Sequence, residues 1–308
     1  MSKTIIISGA DQGYADLLGG LLGSIETRAR DAGIDIGVLD LGLEAPLSTS
    51  LKERGIAAIT PDWDYPLGVF RLKPPNIFKA MTARPHLRRH FPGYDMYLWL
   101  DADTWVQDWT AIELYMDAAG RSGFAATPEA DRSYDAYFNT GSVFDWRFNC
   151  FRTCFDEETA RQLAPFPIVN CGVFASRADA PHWDAWSRTL GKCLEKLGEA
   201  FFFAEQTALN ETIRRSGCRT AFLPSTCNWM CNRALPLCSP DGAVLIEPNP
   251  PFNRIGIVHM TADTKHGQKK LRDVNGHSHF RSLRFDGHAD TVAALNVNLT
   301  HTGQWNTF

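Results

Sequence analysis

No stretch of this 308-residue chain is apolar for long enough to cross a bilayer. The opening segment, MSKTIIISGADQGY, passes from one lysine into an apolar run too short for the core of a signal peptide. Both absences lead to the expectation of a cytoplasmic protein without a transmembrane segment. Net charge is also nearly absent. The 31 basic and 35 acidic residues leave −4, which argues against nucleic-acid binding through bulk charge. No Pro/Gly/Ser-rich linker, internal repeat or low-complexity tract divides the chain, so one domain with a tail is the simplest organisation. The eight cysteines contain no CxxC pair. Cys150 and Cys154 are too widely spaced for the usual zinc signature, as are Cys227 and Cys231. Without a secretory signal, disulfides are disfavoured and reduced, buried thiols are expected.

With 44% hydrophobic and 21% charged residues, the chain has the composition of a folded globular protein. Residues 4–8 form a β-branched apolar run closed by Gly9, Asp11 and Gly13, which predicts a buried strand and a loop. Leu17, Leu18, Leu21, Leu22 and Ile25 then recur at helical spacing. Further strands are predicted at 34–41, 56–59 and 97–100, with helical character from Lys79 to Arg89 interrupted by Pro85. Later come strands at 169–175, 220–223 and 255–260, and a helix over 203–216. Alternating strands and helices predict an α/β fold with a mostly parallel sheet between helical layers. Residues 128–165 lack a clear period and read as an irregular insertion. The polar stretch 268–308 reads as an accessory tail.

The strongest chemical signal is YLWLDADTWV, residues 97–106. An apolar strand runs into Asp101-Ala102-Asp103. On an extended segment, side chains two apart point the same way, so both carboxylates can face one ligand. Ligands in open α/β sheets sit beyond the carboxyl ends of the strands, where this pair falls. Two hard oxygen ligands suit Mg²⁺ or Mn²⁺. The competing structural reading is a helix cap supplied by Asp103 or Thr104.

Five segments in order resemble glycosyltransferase family 8 and related GT-A enzymes: ISGADQGYADLLGGLLGSI (7–25), the run from Lys79 and Arg84 to LDADTWV, PIVNCGVFAS (167–176), FAEQTALN (203–210) and IVHMTADTK (257–265). The resemblance spans about residues 4–267, and it implies a GT-A, Rossmann-like fold over 1–267 with 128–165 on the acceptor side. It implies a nucleotide-sugar donor, specifically a UDP-sugar, with the base and ribose held at Ala10, Asp11 and Tyr14. Lys79, or else Lys73, would contact the sugar nucleotide. Asp101, Asp103 and His259 would hold Mn²⁺ or Mg²⁺, with Ala102 between the acids at the nucleotide. Lys265, six residues beyond His259, would reach the diphosphate. Asn170, Glu205 and Gln206 would act catalytically by orienting the donor sugar and the acceptor hydroxyl, with retention of configuration. The chain departs from the family where Glu205 replaces an Asp, Ala262 a Gly, and His266-Gly267 a Pro-Trp pair. The acceptor, whether carbohydrate, lipid-linked or protein, is unassigned. Trp146, Phe148 and Arg152 could form its surface or simply pack in the core.

Rival readings are a haloacid dehalogenase-type phosphatase using Asp101 as nucleophile, a catalytically inactive sugar-nucleotide-binding GT-A module, and a nucleotidyltransferase. The first lacks its later Gly-Asp dipeptide, and its Asp pair would open the chain rather than lie a third of the way along. The inactive module sits poorly with the retained acids, His259 and Lys265. The nucleotidyltransferase would carry a basic, glycine-rich loop where GADQGYAD has no Lys or Arg.

Overall fold

The computed structural model describes residues 3–29, 33–68, 70–134 and 140–285. β-Branched and apolar runs form the strands β1 (Thr4–Ala10), β2 (Ile34–Asp40), β3 (Ala57–Ile59) and β4 (Met96–Leu100). They continue as β5 (Thr104–Val106), β6 (Phe124–Pro128), β7 (Val169–Arg177) and β8 (Thr220–Phe222). Seven of these make one sheet in the order β3-β2-β1-β4-β7-β6-β8. All its pairings are parallel except those of β7, which runs antiparallel to both β4 and β6. The mostly parallel α/β architecture expected from the sequence is therefore present.

Helices α1 (Ala15–Arg28), α2 (Ala45–Glu53), α3 (Phe78–Ala83), α4 (Leu87–His90) and α5 (Thr110–Ser122) occupy the first half of the chain. Between α3 and α4 lies a 3₁₀ turn, Arg84–His86, where Pro85 removes a helical donor. Clusters of buried side chains line both faces of the sheet, one around Trp99, Phe124, Phe174, Trp183 and Trp186, another around Leu98, Trp109, Tyr115 and Val173. The alternation of β4 explains the split: Tyr97 and Trp99 join one layer, Leu98 and Leu100 the other.

The stretch 128–165, expected to be irregular, is largely helical: α6 (Thr140–Cys154) and α7 (Glu157–Leu163) lie within it. The start signal of α7 is legible in retrospect, because Asp156 accepts a hydrogen bond from the Thr159 amide at 2.7 Å and is followed by two acids. Aromatic residues lie on more than one side of α6 because it meets several partners. Phe151 packs with Ala160, Leu163 and Ile168, while Trp146 meets Phe203 edge-on at 5.2 Å. Two further helices, α8 (His182–Leu197) and α9 (Ala204–Arg215), cover the same side.

A small second sheet decides where the functional side chains go. β9 (Trp229–Met230) pairs in parallel with a later strand, Ile257–His259, which in turn runs antiparallel to β5. Its register sets His259 opposite Thr104. Of the expected accessory tail, 268–285 are described and 286–308 lie outside the described residues. Lys269–Arg272 and Ser278–Arg281 pair as a hairpin, and Leu271, Leu283 and Phe285 pack with Trp105 and Trp229. The Trp105 indole donates to the Leu283 carbonyl at 2.7 Å. No helix among the described residues is long and apolar enough to cross a membrane. All eight cysteines are free thiols, seven of them buried.

His182 and His86 tie stability to pH. His182 stacks on Phe124 and lies 3.1 Å from the Thr220 hydroxyl. Burial pushes both imidazoles down to about 4, assisted at His86 by nearby His90 and Arg88. As pH falls through the ordinary histidine range, the unfolded chain takes up protons that these rings refuse until about pH 4. Urea midpoints are expected to fall across that window, and His182→Leu is expected to flatten the acid limb. An unchanged limb would remove His182 from the linkage.

Candidate metal and nucleotide site

The chain leaves β4 through a tight turn, not an extended segment as the sequence suggested. Both the Thr104 amide and hydroxyl donate to the Asp101 carbonyl, at 2.9 and 2.7 Å. β5 begins at Thr104, so no helix is capped here. The turn brings the two carboxylates together, and the small second sheet delivers the third group. Met260 donates its amide to the Asp103 carbonyl at 2.9 Å, anchoring the end of the strand that carries His259. His259 Nε2 lies 3.3 Å from Asp103 Oδ1 and 4.0 Å from Asp101 Oδ2. One ligand atom from each of the three lies within 4.8 Å of the others, the one such cluster of His, Cys and acidic side chains among the described residues.

The remaining carboxylate oxygens are engaged by fixed donors. Asp101 Oδ1 accepts from the Arg84 guanidinium and, at 2.8 Å, from the Trp99 indole. Asp103 Oδ2 accepts from Lys265 Nζ at 2.7 Å. Burial alone would raise the Asp103 pKa, but His259 and Lys265 hold it well below the usual carboxylate range. Burial opposes charge on Lys265 as well, yet Asp103 and the Tyr14 hydroxyl raise its pKa overall. The arrangement leaves Asp101 Oδ2, Asp103 Oδ1 and the His259 imidazole turned towards one another.

This donor set suits Mn²⁺ or Mg²⁺, with the nitrogen favouring Mn²⁺. The space also fits an ion, because the β7 residue facing it is Gly172. A Cβ there would lie 2.4 Å from His259 Cε1 and 2.8 Å from Asp101 Oδ2. Any side chain would fill the cradle.

Lys265 Nζ also donates to the Tyr14 hydroxyl at 3.1 Å and lies 4.9 Å from that ring's centre. Tyr14 is thereby brought close to Asp103, and Asp11, at the carboxyl end of β1, accepts from the Tyr14 amide at 3.2 Å. Ala10 and Ala102 belong to one buried apolar cluster beneath this loop. Ala262, where the resemblance implies glycine, begins the 3₁₀ turn carrying Lys265 with φ of 54°. That left-handed conformation costs an L-residue about 1 kcal/mol.

Lys79 is not the basic residue at the acids. Its Nζ donates to the Pro61 carbonyl at 2.9 Å and lies over Trp63. Arg84, just past the end of α3, is the one that reaches them, paired with Asp101 and, at 3.0 Å, with Glu205. Burial pushes the Glu205 carboxyl up to about 7, against Arg84 and with a contribution from Asp101. Nothing in the sequence separated Arg84 from its basic neighbours, because the choice depends on where the Pro85 turn aims it.

Asn170, expected to offer both amide atoms to sugar hydroxyls, has all four hydrogen-bonding positions occupied. Its Oδ1 accepts from the Gly172 amide (2.8 Å) and Asn228 Nδ2 (3.2 Å). Its Nδ2 donates to Glu129 Oε1 (3.2 Å) and Gln206 Oε1 (3.4 Å). Gln206 Oε1 also accepts from the Cys171 amide at 3.2 Å, and its Nε2 donates to Glu129 at 3.2 Å. Asn228 and Glu129 lie outside every motif read from the sequence.

No family model and no curated protein matches the chain. Solved structures do, and their likeness gives the class: this is the GT-A glycosyltransferase fold. One is the galactosyltransferase LgtC with donor and acceptor sugar analogues, 17% identical with a TM-score of 0.56, aligned over 98% of both chains. An LgtC variant with an active-site glutamine changed to glutamate matches at 18% identity and TM-score 0.57, over 94% of this chain and 95% of its own. The bifunctional glycosyltransferase WbbM, without ligand, matches at 15% and 0.57, over 96% of this chain and 50% of its own.

Two outcomes are expected. Gly172→Ala lowers Mn²⁺ affinity by an order of magnitude or more and destabilises the fold by about 1–3 kcal/mol through overpacking. Calorimetric titration and urea melts measure both, and unchanged Mn²⁺ binding would mean the cradle is not the metal site. Ala262→Gly leaves stability unchanged or raises it by up to about 1 kcal/mol, and a clear loss in the same melts would contradict the strain.

Proposed function

We propose that the protein is a metal-dependent glycosyltransferase that moves a sugar from a nucleoside-diphosphate sugar, specifically a UDP-sugar, to an acceptor hydroxyl. The convergence of Asp101, Asp103 and His259 between Arg84 and Lys265 carries this reading. Asp101, Asp103 and His259 would hold Mn²⁺ or Mg²⁺. When bound, the ion supplies a Lewis-acid contact to diphosphate oxygens and offsets charge on the departing nucleoside diphosphate.

The chain's own residues set the rest of the electrostatics. Arg84 and Lys265 are set against Asp101, Asp103 and the partly ionised Glu205, so a divalent ion would leave an excess of about one to two positive charges, complementary to a diphosphate. Lys265 has three donor hydrogens, with Asp103 and Tyr14 as neighbours, and can turn one to a phosphate oxygen. Asp11, Tyr14 and the backbone at Ala10 and Ala102 would hold the nucleoside. Glu205 and Gln206 would border the donor sugar. Gln206 keeps its oxygen on the Cys171 amide and so serves as a donor through Nε2. LgtC, too, has an active-site glutamine. Asn170 would act on the sugar only through these neighbours. Retention of configuration follows from the family resemblance.

The acceptor surface is assigned to 128–165, where Trp146 lies under Arg233 and Arg233 pairs with Glu129. The phosphatase reading shares the Asp pair but needs a free Asp101 oxygen for attack. Asp101 Oδ1 is bound by Arg84 and Trp99, and Oδ2 is the oxygen given to the ion.

Mn²⁺-stimulated hydrolysis of a panel of UDP-sugars tests the proposal. Asp103→Asn is expected to lower it by about 100-fold or more, the scale of losing one group that stabilises developing charge. Equal rates in the two proteins would take the carboxylate out of the mechanism. Phosphate release from a simple ester, with a trapped aspartyl phosphate, would favour the phosphatase.

A further inference from the structure

A histidine binds a cation only through a ring nitrogen that carries a lone pair, so the tautomer of His259 decides whether the site works. Its Nε2 faces Asp101 and Asp103, and its Nδ1 lies 2.9 Å from Asn228 Oδ1. Asn228 is 1% exposed and belongs to no motif of the sequence.

The direction of these hydrogen bonds can be worked out from fixed groups. The Gly172 backbone amide can only donate, and it donates to Asn170 Oδ1 at 2.8 Å. Glu129, ion-paired with Arg233 at 2.8 Å, can only accept, and it takes a hydrogen from Asn170 Nδ2 at 3.2 Å. Two independent groups therefore orient the Asn170 amide the same way. Its Oδ1 must then receive a donor from Asn228, which turns Asn228 Nδ2 towards it at 3.2 Å. The opposite atom of Asn228, Oδ1, faces the imidazole and can only accept from Nδ1–H. In the neutral ring that leaves the lone pair on Nε2, aimed at the acids.

We infer that Asn228 is a positioning residue that sets the His259 tautomer for cation binding, and that Asn170, fixed by the Gly172 amide and Glu129, sets Asn228. The value of the relay to catalysis rests on the proposed metal site, but the tautomer itself does not. Asn170 and Glu129 also hold Gln206, so the same network joins the metal ligand to the residue assigned to the donor sugar.

Long-range ¹H–¹⁵N spectra of histidine-labelled, metal-free protein, taken at a pH where the His259 ring is neutral, read the tautomer directly. The wild type is expected to carry its proton on His259 Nδ1. Asn228→Leu is expected to give a mixture of tautomers and to bind Mn²⁺, titrated without nucleotide, about tenfold more weakly, as loss of an outer-shell partner does. Asn228→Asp retains an acceptor for Nδ1–H and is expected to keep the wild-type tautomer, though it sets an oxygen against Asn170 Oδ1 and lowers stability. A variant that merely loosened the fold would not separate these two substitutions. A wild-type proton on Nε2, or an unshifted tautomer in folded Asn228→Leu, overturns the inference. If Asn228→Leu fails to fold, Asn228→Ser, too short to span the same distance, takes its place with the same two readings. A wild type that binds no Mn²⁺ but loses its tautomer in the Leu variant supports the relay and counts against the proposed enzyme instead.

Discussion

Two carboxylates and an imidazole held within 4.8 Å of one another, mostly out of water, repel or stay unsolvated unless fixed charges balance them. Arg84 and Lys265 provide that balance from opposite sides. Each occupies one oxygen of one acid, Asp101 Oδ1 for Arg84 and Asp103 Oδ2 for Lys265. Only the inward oxygens are then left for an ion. Breaking one such buried pair typically leaves an uncompensated charge that costs about 3–5 kcal/mol. The site is accordingly part of what the fold must satisfy, as well as what it presents to a ligand.

The fold answers this constraint with two pieces of sheet. β4 ends in the large sheet with Asp101, and a single tight turn starts β5 in the small one. Because β5 pairs with the strand ending at His259, residues 162 positions apart in the chain, Asp103 and Lys265, come into contact. β7 runs antiparallel beside β4 and places Gly172 under the cradle, with its amide bound to Asn170. α1 follows directly on the loop holding Tyr14, and the segment after the hairpin meets both α1 and the turn carrying Lys265. Arg284 bonds the Lys265 carbonyl at 3.0 Å and Asp16 of α1 at 2.7 Å. Backbone pairing sets the distances and small residues make the room. The fully hydrogen-bonded Asn170 keeps the geometry beside Gly172 single-valued, while Arg84 Nε and Glu205 Oε1 are buried without a hydrogen-bond partner among the described residues.

The surface proposed for the acceptor is built on a different principle. Trp146, Phe203 and their neighbours present aromatic surface along α6 and the start of α9. Arg233 lies over Trp146 and ties that surface to Glu129 and thence to Gln206. Phe202 is largely exposed at its rim.

Local chemistry sufficed to read the buried strands, the helix after β1 and the acids at the end of β4, because apolar periodicity and Asp-x-Asp act over a few residues. The pairing of His259 and Lys265 with those acids was readable only through family resemblance, since nothing local links positions so far apart. The helical character of 140–163 was hidden because aromatics packing in several directions erase the period of a single face. Arg84 in place of Lys79, the saturation of Asn170, and the parts of Asn228 and Glu129 were decided by tertiary structure alone. Which of several identical side chains meets a charge, and which way an amide points, depends on distances of a few ångströms between elements that the chain brings together only when it folds.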